Sequence, residues 1–548
     1  MAHFEHIDDD ILFLIFQNLR SERLSSLYCF RLVSQRLKQF AESCLYNTIV
    51  LEDTPLRENS SYRLIERLVD SSDTLSRNVR DLQIKSFKGD DGSYCLNSKL
   101  LIAALHSLHK LDSFSWDCNI PLPDELLSTL SQLYPRARLC ATARSLDEAL
   151  LSSSQLHTLS ISVPCADAFH PETEARLGEL RHVLLRSRNL RVLILNIHRD
   201  HSLWKLQEEA LTQSLTQTAT GLDNKNLDIH KIQIPLEPGD RLPALEYLAI
   251  DARTYSFDKE HCLRLIQCMD ARRLKRLRIA SSSTEHFFEA FTHKTPQLEI
   301  LEFDTHWTWQ SSLNRYIATS VACSRFITSI VKLKEVVVYC NATDSREPFW
   351  TALAETHGSH LQRLSIQTRN EGLELPYSDH KRQAPLSCFP SLTSLEMVMH
   401  PWWDNSSCSD CLEGRRHWLN TCYIGEVPVL PLLTTIQISF KFSFKFSFYE
   451  TPSFHSHVVR HAHCAIRRLW SMYTNDKAGH HLDHKLERVS MRFWRWEPPP
   501  PHPDENGVQH TTRVHEIIFD SKMIDEQLLI WVRNRKDLPM RRCSTARH

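Results

Sequence analysis

Glycine is scarce in this chain, with eleven residues in 548. Backbone that must approach a phosphate closely needs glycine, and neither a GxGxxG turn nor a P-loop is present. Charge of one sign is lacking too: 65 lysines and arginines stand against 66 aspartates and glutamates. A surface without basic excess has little attraction for a phosphate backbone, so no nucleic-acid partner is expected. No apolar run comes near the roughly eighteen residues that would cross a bilayer, so no membrane partner is expected either. The start of the chain is acidic, and its apolar run at 11–16 is too short for a secretory leader. The sixteen cysteines are scattered, several of them inside apolar segments (Cys262, Cys268 and Cys340). That distribution suits free thiols in a reducing compartment better than a disulfide framework. The expected location is cytoplasmic, nuclear or both.

Catalytic grammar is missing as well. No serine or cysteine sits in a G-x-S-x-G elbow, and the carboxylates stand in no recognisable pairing. The expectation is no enzyme activity, no catalytic residue and no cofactor. Cys408 and Cys411, followed by His417 and Cys422, have the ligand types and the opening spacing of a zinc site. A second CxxC is absent, and a loop insertion with neighbouring thiols reads the same residues without a metal. Histidine-rich tracts at 455–463 and 480–484 have no fixed ligand spacing and read as solvated loop. No metal is assigned.

What the chain has instead is a recurring strand signature, apolar-x-x-apolar-x-apolar. It starts at Val79, Leu111, Leu156, Leu190, Leu245, Leu274, Leu298, Leu333, Leu361, Leu392, Leu433 and Leu486, with Val514 opening a thirteenth copy. One copy reads Leu274, Leu277, Ile279 and the next Leu298, Leu301, Phe303. Arg136 to Leu139 reads as a degenerate copy, and a proline precedes several others (Pro243, Pro296, Pro390 and Pro431). Spacing runs from 24 to 55 residues, so the period is loose. Helical patterning fills the intervals, as at 260–269, 313–331 and 348–355. Strand-then-helix units of about 20–30 residues cannot bury their faces singly, and stacking them makes a solenoid. An ordinary α/β domain with a parallel sheet is the competing architecture. Segments 199–242 and 404–427 read as insertions and the proline-rich 498–507 as a linker. Residues 508–548 read as a terminal repeat or cap with a tail.

Side chains alternate along a strand, so the residues between the apolar positions take the opposite face. They include Arg276, Arg278, Glu302, Asp304, Glu335, Tyr339, Arg363, Gln367, Glu396, Arg488 and Arg492. Mixed charge with arginine and tyrosine suits a protein or peptide partner, and an ordinary solvated sheet face has the same composition. Tryptophans gather just past the strand ends (Trp307, Trp309, Trp402, Trp403, Trp494 and Trp496). There they suit a recognition rim or the filling of wide loops. From Ile436 to Phe448 apolar residues alternate strictly with polar ones, the pattern of one long strand or ribbon.

The first fifty residues stand apart. Asp8 is placed to cap a helix, with Asp9 and Asp10 at its positive end. Ile11, Ile15 and Leu19 recur every four residues with Leu12 and Phe16 alongside. Leu24, Leu27, Phe30 and Val33 form a second apolar set, and Leu37, Phe40 and Ala41 share a third face. Fifty residues cannot bury this much apolar surface alone. The remainder must be covered, either by the rest of this chain, with the helices as a cap, or by a partner.

The order of residue types resembles the F-box, the short three-helix module that docks a substrate receptor onto the Skp-family adaptor of cullin–RING ubiquitin ligases. Asp10, Ile11, Ile15, Phe16 and Leu19 match the first run of that family's pattern, and Val33, Ser34, Arg36, Leu37, Phe40 and Ala41 the second. Ile7-Asp8 stands where the family has Leu-Pro, and Leu37 where it has tryptophan. The resemblance implies an α/β protein: a small three-helix F-box at 1–50, then an irregular leucine-rich-repeat-like solenoid at 51–497 with parallel strands alternating with helices. It implies adaptor contact through Ile7, Ile11, Ile15, Phe16, Leu19, Leu27 and Val33. The repeat surface, at the arginines, acids and tryptophans named above, would hold a target protein that the sequence does not identify, and its arginines would admit a phosphorylated one. The competing expectation is a repeat scaffold outside any ligase, its first helices a cap.

Overall fold

The computed structural model describes residues 7–52, 60–86, 91–143, 148–165, 171–199, 232–304, 313–339, 348–367, 386–399, 430–442, parts of 462–473, 486–497, 513–524 and 527–534, apart from isolated positions within those ranges. The chain divides into two compact units. Residues 1–198, 232–249 and 267–270 form the first, and 199–231, 250–266 and 271–548 the second. Each mixes helices with mostly parallel strands that lie side by side in chain order, the α/β alternation the signature implied.

The first unit opens with α1 (Asp9–Glu22), α2 (Leu24–Phe30) and α3 (Gln35–Tyr46), and α3 runs after a single residue into β1 (Thr48–Glu52). The strands β2 (Asp81–Ser86), β3 (Ser113–Trp116), β4 (Arg138–Ala143), β5 (Leu156–Cys165) and β6 (Val192–Arg199) follow in order. Pairing is parallel from β1 to β5. The connections carry α4 (Ser60–Val69), α5 (Leu75–Asn78), α6 (Asp91–Ser107), α7 (Asp124–Leu133), α8 (Glu148–Ser152) and α9 (Pro171–Arg186). The degenerate copy at Arg136 is β4, which buries Leu139, Ala141 and Ala143. The strand β1 carries the same spacing in Tyr46, Ile49 and Leu51, concealed because Tyr46 also closes α3. Part of the expected insertion at 199–242 is packed structure. Ile232, Ile234 and Leu236 are buried, and Arg181 on α9 grips Asp240 and Glu237, each at 2.7 Å. Gly239 turns this segment with φ at 95°, a conformation open to glycine. Residues 200–231 lie outside the described residues.

The division between the units falls within β7 (Tyr247–Asp251). The second unit continues with β8 (Arg276–Ala280), β9 (Ile300–Asp304), β10 (Glu335–Tyr339), β11 (Arg363–Gln367), β12 (Ser394–Met399), β13 (Thr435–Phe442) and β14 (Arg488–Glu497), all paired in parallel from β8 onward. Its helices are α10 (Lys259–Cys268), α11 (Glu285–Phe291), α12 (Leu313–Thr328) and α13 (Pro348–His357). The thirteenth copy departs from expectation. β15 (Arg513–Ile524) runs antiparallel to β14, and β16 (Gln527–Asn534) antiparallel to β15. An antiparallel neighbour needs no crossover helix, so the described strands end in a meander rather than a further parallel repeat. The sequence Gln527-Leu-Leu-Ile-Trp-Val532 has a run of apolar residues and no leading signature, so the repeat pattern does not mark β16.

The signature has a physical reading in the second unit. Its first residue is the buried floor of a tight turn: Leu274 N–H donates to the Ala271 carbonyl and Leu298 N–H to that of Thr295. Prolines at 296, 390 and 431 stand two residues earlier, where fixed φ favours the turn. The next carbonyl then accepts two amides from the following repeat. Lys275 O takes Glu299 N (2.8 Å) and Ile300 N (3.0 Å), and Glu299 O takes Lys334 N (2.8 Å) and Glu335 N (3.1 Å). The same fork recurs at Lys334, Gln362, Thr393 and Thr434. It locks the register, so that Leu277, Leu301, Val336, Leu364, Leu395, Ile436 and Val489 form one buried row. Behind that row aromatic rings run from element to element. Phe287 stacks on Phe291 (4.1 Å between centroids), Phe288 meets Phe303 (6.2 Å) and Phe326 (5.4 Å), and Phe303 meets Phe349 (5.6 Å).

Candidate protein interfaces

Two surfaces stand out, one apolar and one polar. The apolar one belongs to the three leading helices. Asp8 occupies the cap position of α1, its carbonyl accepting from Leu12 N at 2.9 Å, with Asp9 and Asp10 in the first turn. The Ser34 hydroxyl accepts from Leu37 N (3.3 Å) and caps α3. Arg36 ties the two caps together through Ile7 O and the Asp9 carboxylate, both at 2.6 Å, and Arg31 pairs with Glu42 at 2.9 Å. The helices thereby enclose a core of their own: Leu12, Phe16, Leu27, Leu37, Ala41 and Cys44 are buried, with Ile7, Ile15, Leu19, Phe30, Phe40 and Leu45 packed partly against them.

This core revises the expected contact set. Phe16 and Leu27 are fully buried inside the module, so their role is to hold it together, and Ile7, Ile15 and Leu19 are half-buried against it. Ile11 and Val33 do face outward, at 50% and 46% exposure. Phe13, Leu14, Tyr28 and Leu32 join them on the outside, with Leu32 at 89%. Residues 11–16 read Ile-Leu-Phe-Leu-Ile-Phe, more than one full turn of apolar side chains. A helix has only one side to turn toward a neighbouring pair, so Ile11, Phe13 and Leu14 are left in solvent. A helix apolar all round is ordinarily buried. The unbroken apolar run at 11–16 is the sequence signal for those residues, whereas a four-residue period marks only one face.

The polar surface is the open strand face of the second unit. Register places Arg276, Ile300, Glu335, Arg363, Ser394, Thr435 and Arg488 in one row, and Arg278, Glu302, Val337, Ser365, Glu396, Gln437 and Ser490 in the next. A shallow pocket of about 240 Å3 lies over these rows from β8 to β12. The outward residues expected from alternation at Arg276, Arg278, Glu302, Glu335, Tyr339, Arg363, Gln367 and Glu396 all line it.

Its charges are largely matched to one another. Glu302, buried to 6% side-chain exposure, takes Arg278 at 3.2 Å and Arg276 at 3.6 Å, and accepts the Tyr339 hydroxyl at 2.9 Å. Arg278 also reaches Asp251 at 2.6 Å, and Arg363 reaches Glu335 at 3.2 Å. A phosphorylated target, which these arginines would admit, would therefore have to compete with carboxylates on neighbouring strands. Asp304 is buried, Arg488 pairs with the fully buried Asp520 at 2.9 Å, and Arg492 is half-buried on β14.

Other expected features fall elsewhere. Trp307, Trp309, Trp402 and Trp403 lie outside the described residues, as do Phe444, Phe446, Phe448 and the cysteine cluster Cys408, Cys411, His417 and Cys422. Among the described residues no group of histidine, cysteine and carboxylate side chains is arranged to hold a metal ion, and no helix is long and apolar enough to cross a membrane. Cys262 and Cys268 are buried free thiols, and burial pushes the Cys262 thiol up to about 12. His261, buried on α10, shares a 2.9 Å hydrogen bond with Tyr255, and burial pushes its imidazole down to about 4. Neither group reaches a surface where a substrate would meet it. Comparison with family models and with curated proteins finds no match to this chain.

Proposed function

We propose that this protein is the substrate-recognition subunit of a Skp–cullin–F-box-type ubiquitin ligase. The three leading helices dock on a Skp-family adaptor, and the strand face of the repeats holds a target protein. Catalysis by such a subunit is proximity: it raises the local concentration of target lysines while other subunits carry the chemistry. The observation that carries the reading is the module at 7–46, which has a complete core of its own and still exposes Ile11, Phe13, Leu14, Tyr28, Leu32 and Val33. Large apolar side chains left outside a finished core suit docking onto a partner that covers them. The resemblance of residue order to the F-box supplies the identity of that cover.

The test is one double variant of the whole chain. Leu14→Asp with Leu32→Asp changes only exposed positions, and adaptor binding is expected to be lost while the melting temperature holds. Full retention of binding by this double variant overturns the assigned surface.

A second reading, a repeat scaffold whose helices are only a cap, draws on one observation. The module is joined to β2 through the Asn47 carbonyl, which accepts Arg80 N (2.8 Å) and Asp81 N (2.9 Å). It predicts that deleting residues 1–46 aggregates the remainder. The ligase reading predicts a folded remainder that no longer binds the adaptor.

A further inference from the structure

Glu396 differs from the other carboxylates of the strand-face pocket. Glu302 and Glu335 each have arginine partners. Glu396 has neutral donors: Ser365 Oγ at 3.1 Å to one oxygen and Gln437 Nε2 at 2.9 Å to the other. Both donors stand in register beside it, on β11 and β13. Among the described residues no lysine, arginine or histidine lies within ion-pair reach of it. The carboxylate is therefore fixed in place, half-buried in the pocket wall, with one lone pair on each oxygen still open. A half-buried charge without a counter-charge gains from any cation that reaches it.

We propose that this pocket binds an arginine side chain of a protein partner, with Glu396 as the carboxylate that receives it. A planar guanidinium presents two parallel N–H groups at the spacing of carboxylate oxygens, so it can use both open lone pairs at once. Val337 lines the same pocket, half-buried, and gives the methylene stem an apolar surface. An anionic ligand is disfavoured, because it would have to displace Glu302 from Arg276 and Arg278, or Glu335 from Arg363. The assignment rests on the target-binding half of the proposed function and is independent of adaptor docking.

The experiment is selection of a displayed library of random nonapeptides on the purified full-length chain, without adaptor, alongside the Glu396→Gln variant. Glutamine keeps the shape and the neutral hydrogen-bonding capacity while removing the charge, and equal melting temperatures confirm that both proteins are folded. Peptides enriched on the natural chain should share an arginine. For a synthetic hit, replacing that arginine by neutral citrulline should weaken binding about tenfold or more. Glu396→Gln should weaken the arginine peptide by a similar factor and leave the citrulline peptide unchanged. Enrichment of acidic or phosphoserine-like sequences, arginine peptides that bind Glu396→Gln equally well, or no enrichment at all would each overturn the proposal. None of these outcomes bears on whether the leading helices bind an adaptor.

Discussion

The leading helices and the strand face of the second unit present opposite kinds of surface. The helices finish a small core and leave aliphatic and aromatic side chains outside it. The strand face leaves almost nothing unmatched: its arginines meet carboxylates from neighbouring strands, and one glutamate is held by neutral donors alone. Apolar surface gains free energy from any shape-matched cover, at roughly 25 cal/mol for each Å2 removed from water. A face of paired charges gains little from burial, since a partner must replace hydrogen bonds already made. The first therefore suits an invariant partner bound tightly. The second suits discrimination among targets, with affinity concentrated at the few groups that lack a counterpart.

Four substitutions sharpen or break this contrast. The largest effect is expected at Phe16→Asp, which places a charge in the core of the leading helices and should cost roughly 3–5 kcal/mol. Limited proteolysis should then cut within 7–46, and a resistant module would show that the core is not what holds it. Inside the second unit, His261 makes stability depend on pH. Its folded pKa of about 4 lies below the ordinary 6.5, so the unfolded chain takes the proton first. The stability it contributes is complete above about 6.5 and is lost as pH falls toward about 4, on the order of 3 kcal/mol in all. Urea titrations at pH 7.5 and 5 should show His261→Gln losing less between the two than the natural chain does. Glu302→Gln removes the shared partner of Arg276, Arg278 and Tyr339 and should cost about 1–3 kcal/mol, discounted because both arginines are partly in solvent. Arg363→Gln should fall within about 0.5 kcal/mol in thermal unfolding, since that arginine is 62% exposed and its pair with Glu335 is screened by water. A large loss there would mean that the polar face is held together by its outermost pairs.

Much of the strand framework is readable before any coordinates, because each repeat needs the same three apolar residues: one under the turn and two facing in. The polar face is readable for the same reason, and alternation alone brings Arg276, Arg278, Glu302, Tyr339, Arg363 and Glu396 to one pocket. What alternation cannot give is who pairs with whom. Arg363 and Glu335 are 28 residues apart, and their contact depends on the register of two strands. The same limit applies to the leading helices. Phe16 and Leu14 are both apolar residues of one short run, and only the packing of α1 on its neighbours turns Phe16 in and Leu14 out. β16 was unreadable because its apolar residues are consecutive, a pattern that fits a strand or a helix equally.

The most direct measurement is size-exclusion chromatography with light scattering of the full-length chain mixed with a Skp-family adaptor. The natural chain and Arg363→Gln are expected to form a one-to-one complex, and the folded Leu14→Asp, Leu32→Asp double variant to elute alone. Failure of the natural chain to form a complex, or an undiminished complex with the double variant, would contradict the docking role of the leading helices.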